Sequence, residues 1–281
     1  MSSAAPARST SSRAAMGKGS WRQSLRVIRD TAGMVAKMRI QGMGVLGYSL
    51  TWLTLPLMEM LLLAFIYQNN RDLLEYAVVS GAGTAILFAL IFNGGEILDS
   101  ERKRGTLGNL FLAPLPRYVW LGGFQLFALI EAVVNASIAV AAGAWIFDVD
   151  LSINVVTVVV TIVLLTAALW GMSLILGAFG IVARNANFLS NLIFPFITLF
   201  AGTMYPVAAM PDWIRIPARA LPFSYGIEAL VAGLTRNASV TELAGTLLPL
   251  SGFAIALPLI GIWTFRSMEH AVRKIGSLEI A

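Results

Sequence analysis

Cysteine is absent from the 281 residues, histidine occurs once, at His270, and lysine only four times. Without a thiol there are no disulfides, thiolate zinc sites or cysteine nucleophiles. A lone histidine, with no carboxylates spaced to help it, leaves no expected metal site. Charge is scarce as well. Asp, Glu, Lys and Arg make up 12% of the chain, where a soluble domain carries about 25%, and 57% of the residues are hydrophobic. A chain this apolar cannot keep a folded surface wet, so the bilayer is its expected solvent. A phosphate-cradling loop is also missing. That loop is a Gly-rich turn ending in Gly-Lys-Ser/Thr, and the sole Gly-Lys pair, Gly17–Lys18, runs into Gly19. No cofactor is therefore expected in this chain, and any drive from ATP has to come from a partner. A net charge of +5 can signal nucleic acid in a soluble protein. Here its placement argues for a membrane, and no nucleic-acid partner is expected.

The apolar runs predict an all-α membrane protein with six transmembrane helices. Residues 1–20, rich in Ser, Ala, Gly and Arg, read as a disordered cytoplasmic tail, because no apolar stretch follows soon enough to make a secretory signal. In residues 21–41, Trp21, Leu25, Ile28, Met34, Val35 and Met38 recur at helical spacing among Arg22, Arg26, Arg29, Lys37 and Arg39. That pattern predicts an amphipathic helix lying on the inner membrane surface. The six-helix domain is placed at 42–267, with spans near 44–67, 77–98, 118–147, 153–182, from 188 onward, and 243–265. A polar loop containing Asn69, Asn70, Arg71, Asp72 and Glu75 separates the first two spans. Between spans 5 and 6 lies a stretch broken by Pro206, Pro211, Pro217 and Pro222. It is too interrupted to span and too apolar for a plain loop, which predicts short helices at the outer interface. Residues 268–281 form a basic cytoplasmic tail.

The basic residues set the orientation. Eight Lys or Arg lie in residues 1–41, four in 99–117, one at Arg184 and three after Phe265, sixteen in all. The opposite side holds Arg71, Arg215, Arg219 and Arg236. Positive charge gathers on the cytoplasmic side, so a multi-pass protein of the cell membrane with both termini inside is expected.

The segment 99–117 carries the most information. Charged residues including Glu101 and Arg104 precede Gly105-Thr106-Leu107, then Leu110, Phe111 and Pro114. Thr106 suits a helix cap and Pro114 a stop. Such a helix offers Leu107, Leu110 and Phe111 to a partner's groove. A basic loop that only fixes topology fits the composition equally well. The pattern Glu101, Gly105, Thr106, Leu107, Leu110, Pro114 nevertheless resembles the coupling-helix region of ABC-2 type transporter permeases, approximately Glu-x-x-x-Gly-Thr, then Leu and proline. A later stretch, Leu221-Pro222-Phe223-Ser224-Tyr225-Gly226-Ile227-Glu228-Ala229-Leu230, is similar to the family's Pro-x-x-Tyr-x-x-Glu-x-Leu segment on the outer side. Gly108 and Val231 depart from it, standing where members often have Glu and Arg. The resemblance covers about residues 25–270. It implies an exporter permease of the drug or antibiotic branch, with a coupling helix between spans 2 and 3. It implies two cytoplasmic ABC ATPase subunits that bind the ATP and Mg, and a second permease subunit making a homodimer in the lipid bilayer. Tyr225 and Glu228 would then belong to an outer gate.

Glu59 and Glu131 fall inside apolar spans, where a charge costs on the order of 3 kcal/mol, so a place on the substrate path or gate is the default expectation. Asn135 lies one turn from Glu131 and is placed to share its hydrogen bonding. Glu96 falls at the cytoplasmic interface and is expected to be solvated. An amphiphilic substrate (drug, antibiotic or lipid) fits the sparse polar lining, with a polysaccharide or lipid-linked glycan as the alternative. A reading of another class is a proton-coupled secondary transporter working through Glu59 and Glu131 with no ATPase.

Overall fold

A computed structural model of the chain describes residues 20–103, 105, 117–183 and 186–275. Among these the structure is all-helical. The helices are α1 (Ser20–Tyr67), α2 (Arg71–Lys103), α3 (Arg117–Phe147), α4 (Val155–Ala183), α5 (Ala186–Ala201), α6 (Asp212–Arg219), α7 (Pro222–Thr235) and α8 (Ala244–Ile275), with a 3-10 turn at Val207–Ala209 before α6. Stretches of α2, α3, α4 and α8 are long and apolar enough to cross a membrane. Shorter apolar helices occupy Trp52–Tyr67 and Asn191–Ala201.

Two boundaries differ from the sequence pattern, and α1 breaks where the first span was expected to begin. α1 runs from Ser20 to Tyr67, broken only at Gly44, whose φ of 70° and ψ of 161° no L side chain adopts comfortably. The charged residues after Asn70 belong to α2 rather than to a loop. The Asn70 side-chain oxygen accepts the Leu73 N–H at 3.3 Å and caps that helix. α8 continues ten residues past Phe265, to Ile275, where a tail was expected.

The helices alternate in direction, so the bundle has two ends. At one lie the α1–α2 turn, the α3–α4 turn and the segment from Gly202 to Leu243. Arg71 ties this end together, donating to the Asp148 carbonyl at 2.8 Å and pairing with Asp150 at 3.1 Å. At the other end, the limb of α1 before Gly44 crosses the start of α3, with Thr31 and Ile28 against Gly123. Its Val35 packs with Leu121, Phe124, Leu174, Ala178 and Phe265.

α2 is the central helix: 83% of its apolar stretch is buried, against 17% in α8. α3 shows how the bundle closes. Its inward face is Ala128, Ala132, Ala136 and Ala139, all buried, while Leu126, Ile130, Val134 and Ile138 are exposed. In water that arrangement would be inside out. In a bilayer lipid tails solvate the large side chains as well as a core does, and small residues let backbones approach.

α4 begins at a well-defined cap. The Thr157 N–H donates to Asn154 Oδ1 at 3.1 Å, the Asn154 N–H to the Gly233 carbonyl at 2.8 Å, and the Thr157 hydroxyl to the Ala238 carbonyl at 2.8 Å. These bonds tie α4 to the end of α7. Asn154→Ala is expected to lower stability by about 1–2 kcal/mol, read as a drop in thermal midpoint in detergent. Asn154→Asp, which keeps the cap oxygen, should lose less.

Candidate functional site

The second motif of the sequence folds into α7, and its surroundings make the site. Pro222 opens the helix, where its fixed φ and missing N–H do no harm. Nine of its fourteen residues are buried, far too many for a helix lying on a surface. α7 packs against α2, α4 and α8, with Phe223 and Ile227 in the main core beside Leu87, Leu165 and Leu250.

α6 is fastened to α7 by a compact set of contacts. Arg219 Nη1 meets Glu228 Oε2 at 2.6 Å, its guanidinium lies 5.2 Å from the centre of the Tyr225 ring, and the Tyr225 hydroxyl donates to the Arg219 carbonyl at 3.0 Å. The Ser224 hydroxyl donates to the Ala218 carbonyl at 2.8 Å. The Arg219 and Glu228 side chains are 33% and 42% exposed, so the pair contributes at most about 1 kcal/mol. Its role is to fix direction, holding α6 against the first turns of α7.

A cavity lies on each side of α7. The first, of about 300 Å³, sits at the end of the bundle between the start of α2, α7 and residues 206–208. Asp72, Glu75, Tyr76, Glu228, Thr235 and Arg236 supply its polar lining. Glu75 also pairs with Arg71 at 3.4 Å. Among the described residues no three His, Asp or Glu side chains converge as metal ligands do; the lining makes this a polar mouth. The second cavity, of about 290 Å³, lies between α2, α3, α4 and α7. Ser137 is its single polar side chain, and the hydroxyl is already spent on the Val133 carbonyl at 2.7 Å.

The structure brings Tyr225 and Glu228 together through Arg219. Glu59 is half-buried on α1, and the Thr84 hydroxyl of α2 donates to its Oε1 at 3.3 Å. Glu131 and Asn135 are both buried, one turn apart on α3. Glu101 lies in the last turn of α2. Gly105 is exposed at φ 69°. Arg104, Thr106, Leu107, Leu110, Phe111 and Pro114 lie outside the described residues, as does the side chain of Glu96. Sequence reasoning missed Arg219, Thr84 and the Asp72–Glu75–Tyr76 wall. A cation amid four prolines and a hydroxyl within an apolar run were the available signals.

The family model for the ABC-2 type transporter matches residues 19–235. The probable multidrug ABC transporter permease YbhR of Escherichia coli K12, and its counterpart in E. coli O157:H7, are each 27% identical to this chain over 151 residues. The match takes in 53% of this chain and 40% of those proteins, so it spans about two-fifths of their length.

Proposed function

The chain belongs to the ABC-2 type transporter family, whose members are membrane subunits rather than ATPases, and from that membership we propose that it is the permease of an ATP-driven exporter for an amphiphilic substrate. One observation carries the proposal furthest. The basic limb of α1, the exit of α2 at Lys103 and the entry of α3 at Arg117 all lie at the same end of the bundle. A partner pressing on that end would meet both segments that the family resemblance assigns to coupling. The chain has no phosphate-cradling loop of its own, so two ATPase subunits would bind the ATP and Mg, and their motion would enter through Gly105 and the residues after it.

The remainder of the reading follows. Trp52–Tyr67 and Asn191–Ala201 would join the four long helices to make six spans, with both termini in the cytoplasm. The polar mouth beside Glu228 would then face outward, and Tyr225 with Glu228 would set the position of an outer gate. A second copy would complete the translocation path. The multidrug designation of the relatives and the apolar inner cavity favour a drug- or lipid-like substrate over a glycan.

The test is reconstitution. The tagged chain is isolated from its native membrane with and without its companion proteins and sealed into vesicles carrying a fluorescent amphiphile. Movement of the dye is expected only with a co-isolated ATPase and ATP. Movement driven by a proton gradient, with no ATPase present, would instead establish the secondary-transporter reading. Glu59→Gln and Glu131→Gln are each expected to cut export about tenfold, the effect of roughly 1.4 kcal/mol at the limiting step. Gln can still accept from Thr84, so Glu59→Gln should fold normally. Wild-type export by both variants would remove the carboxylates from the path.

A further inference from the structure

α3 and α4 are consecutive, yet they scarcely touch along their length; α4 spends its packing surface on α8, and α3 on α1 and α2. That leaves a gap between them. Behind it lies the 290 Å³ cavity, backed by α2 and α7 through Val79, Ile86, Leu230 and Leu234 and flanked by Val140 and Val158. In front of it, Val134 and Ile138 of α3 and Val155 and Val159 of α4 are 43–66% exposed. The cavity therefore opens sideways onto the same apolar belt that faces hydrocarbon in a membrane-embedded chain.

The geometry points to a lateral acyl-chain site: one hydrocarbon chain of a bilayer phospholipid enters between α3 and α4 and lies against α7. The lining chooses the chemistry. Its single hydroxyl, on Ser137, already donates to the Val133 carbonyl and is left only to accept, so a ligand rich in polar groups would lose its water with little compensation. Size chooses the occupant. A helix of a second copy is about 10 Å across, so two of its turns occupy roughly three times the space available, whereas part of the length of a single hydrocarbon chain fits it. The inference rests on the transporter reading above and narrows its substrate class, placing the tail of the amphiphile on one side of α7 and the polar mouth on the other.

The chain, in phosphatidylcholine vesicles, is irradiated with a trace of phosphatidylcholine carrying a photoactivatable diazirine midway along one acyl chain, and the labelled peptides are mapped. Label is expected on Ile86, Val140 and Leu230 as well as on the belt. Val140→Trp and Leu234→Trp, which fill the cavity, are expected to reduce label at Ile86 and Leu230 about tenfold, a change equivalent to roughly 1.4 kcal/mol of affinity, while label at Val134 and Val159 persists. Label confined to the belt in the unaltered chain overturns the site, whatever the variants do. So does a cross-link joining cavity residues to a second copy. No nucleotide is needed, so ATP-driven dye movement together with an unlabelled cavity would sink this site and leave the transporter reading standing.

Discussion

Gly171→Val is expected to prevent recovery of a folded, monodisperse protein from the membrane. α4 and α8 form the most extensive helix pair of the bundle, and their closest approach is backbone against backbone. A Cβ on Gly171 would be driven into the peptide joining Leu257 to Pro258, 2.5 Å from the Leu257 carbonyl oxygen. Across the crossing, a Cβ on Gly261 would lie 2.5 Å from the Gly171 carbonyl oxygen. Overpacking against flexible side chains costs about 1–3 kcal/mol. Here the obstacle is main chain, so the helices must separate along their whole contact. α8 is vulnerable at this very point, because Pro258 removes one N–H from its ladder, and a freed carbonyl in hydrocarbon has no water to turn to. The measurement is yield in membranes, elution profile and thermal midpoint in detergent. Gly252→Ala serves as the control on the same helix. A Cβ there meets nothing within 4 Å, and alanine should leave stability unchanged or raise it by up to about 1 kcal/mol. If Gly171→Val behaves like the control, the α4–α8 crossing is not as described.

The difference between those two glycines could not be seen in the sequence, and the reason generalises. Uninterrupted apolar runs were legible: the stretch expected at 118–147 is Val119–Phe147 in the structure, and 153–182 is matched by Val155–Ala183. Hydropathy reports which solvent a residue prefers, and it says little about where the backbone stays helical. Arg71, Asp72 and Glu75 therefore looked like a loop, although Asn70 caps a helix through them and Arg71 meets Asp150. Arg266, His270, Arg273 and Lys274 looked like a tail, although α8 carries all four. α7 was a harder case. The prolines leading up to and opening it and its apolar content pulled in opposite directions, and only packing against α2, α4 and α8 settles that it is a buried helix.

The candidate site was legible in part for a related reason. Tyr225 and Glu228 were found by pattern, but Arg219 lies beyond the break at Leu221–Pro222, and no periodicity links it to Glu228. The polar mouth draws on residues 72–76, 206–208 and 228–243, and the acyl cavity on four helices. Each lining residue is unremarkable on its own helix. What makes a site is the failure of α3 and α4 to close against each other, a property of the bundle rather than of any segment.

Gly105→Pro is expected to leave membrane insertion and partner ATP hydrolysis intact while export falls about a hundredfold, the equivalent of roughly 2.7 kcal/mol of lost coupling. α2 ends at Lys103, and Gly105 stands two residues on with a φ of 69°. That is the left-handed position that closes a helix and redirects the chain. Proline fixes φ near −65°, so the chain after α2 must leave in another direction. In the proposed mechanism that direction aims the segment through Leu110 and Phe111 at the ATPase. Gly105→Ala forces an L residue into the same well at a cost of about 1–2 kcal/mol and should lie between proline and wild type. Gly105→Asn, which tolerates a positive φ, should export nearly normally. This ordering, Asn above Ala above Pro, separates a requirement for backbone direction from a requirement for a missing side chain, which would penalise Asn more than Ala. Equal export by all three would mean that the path of the chain beyond α2 is immaterial and that the partner's motion enters elsewhere.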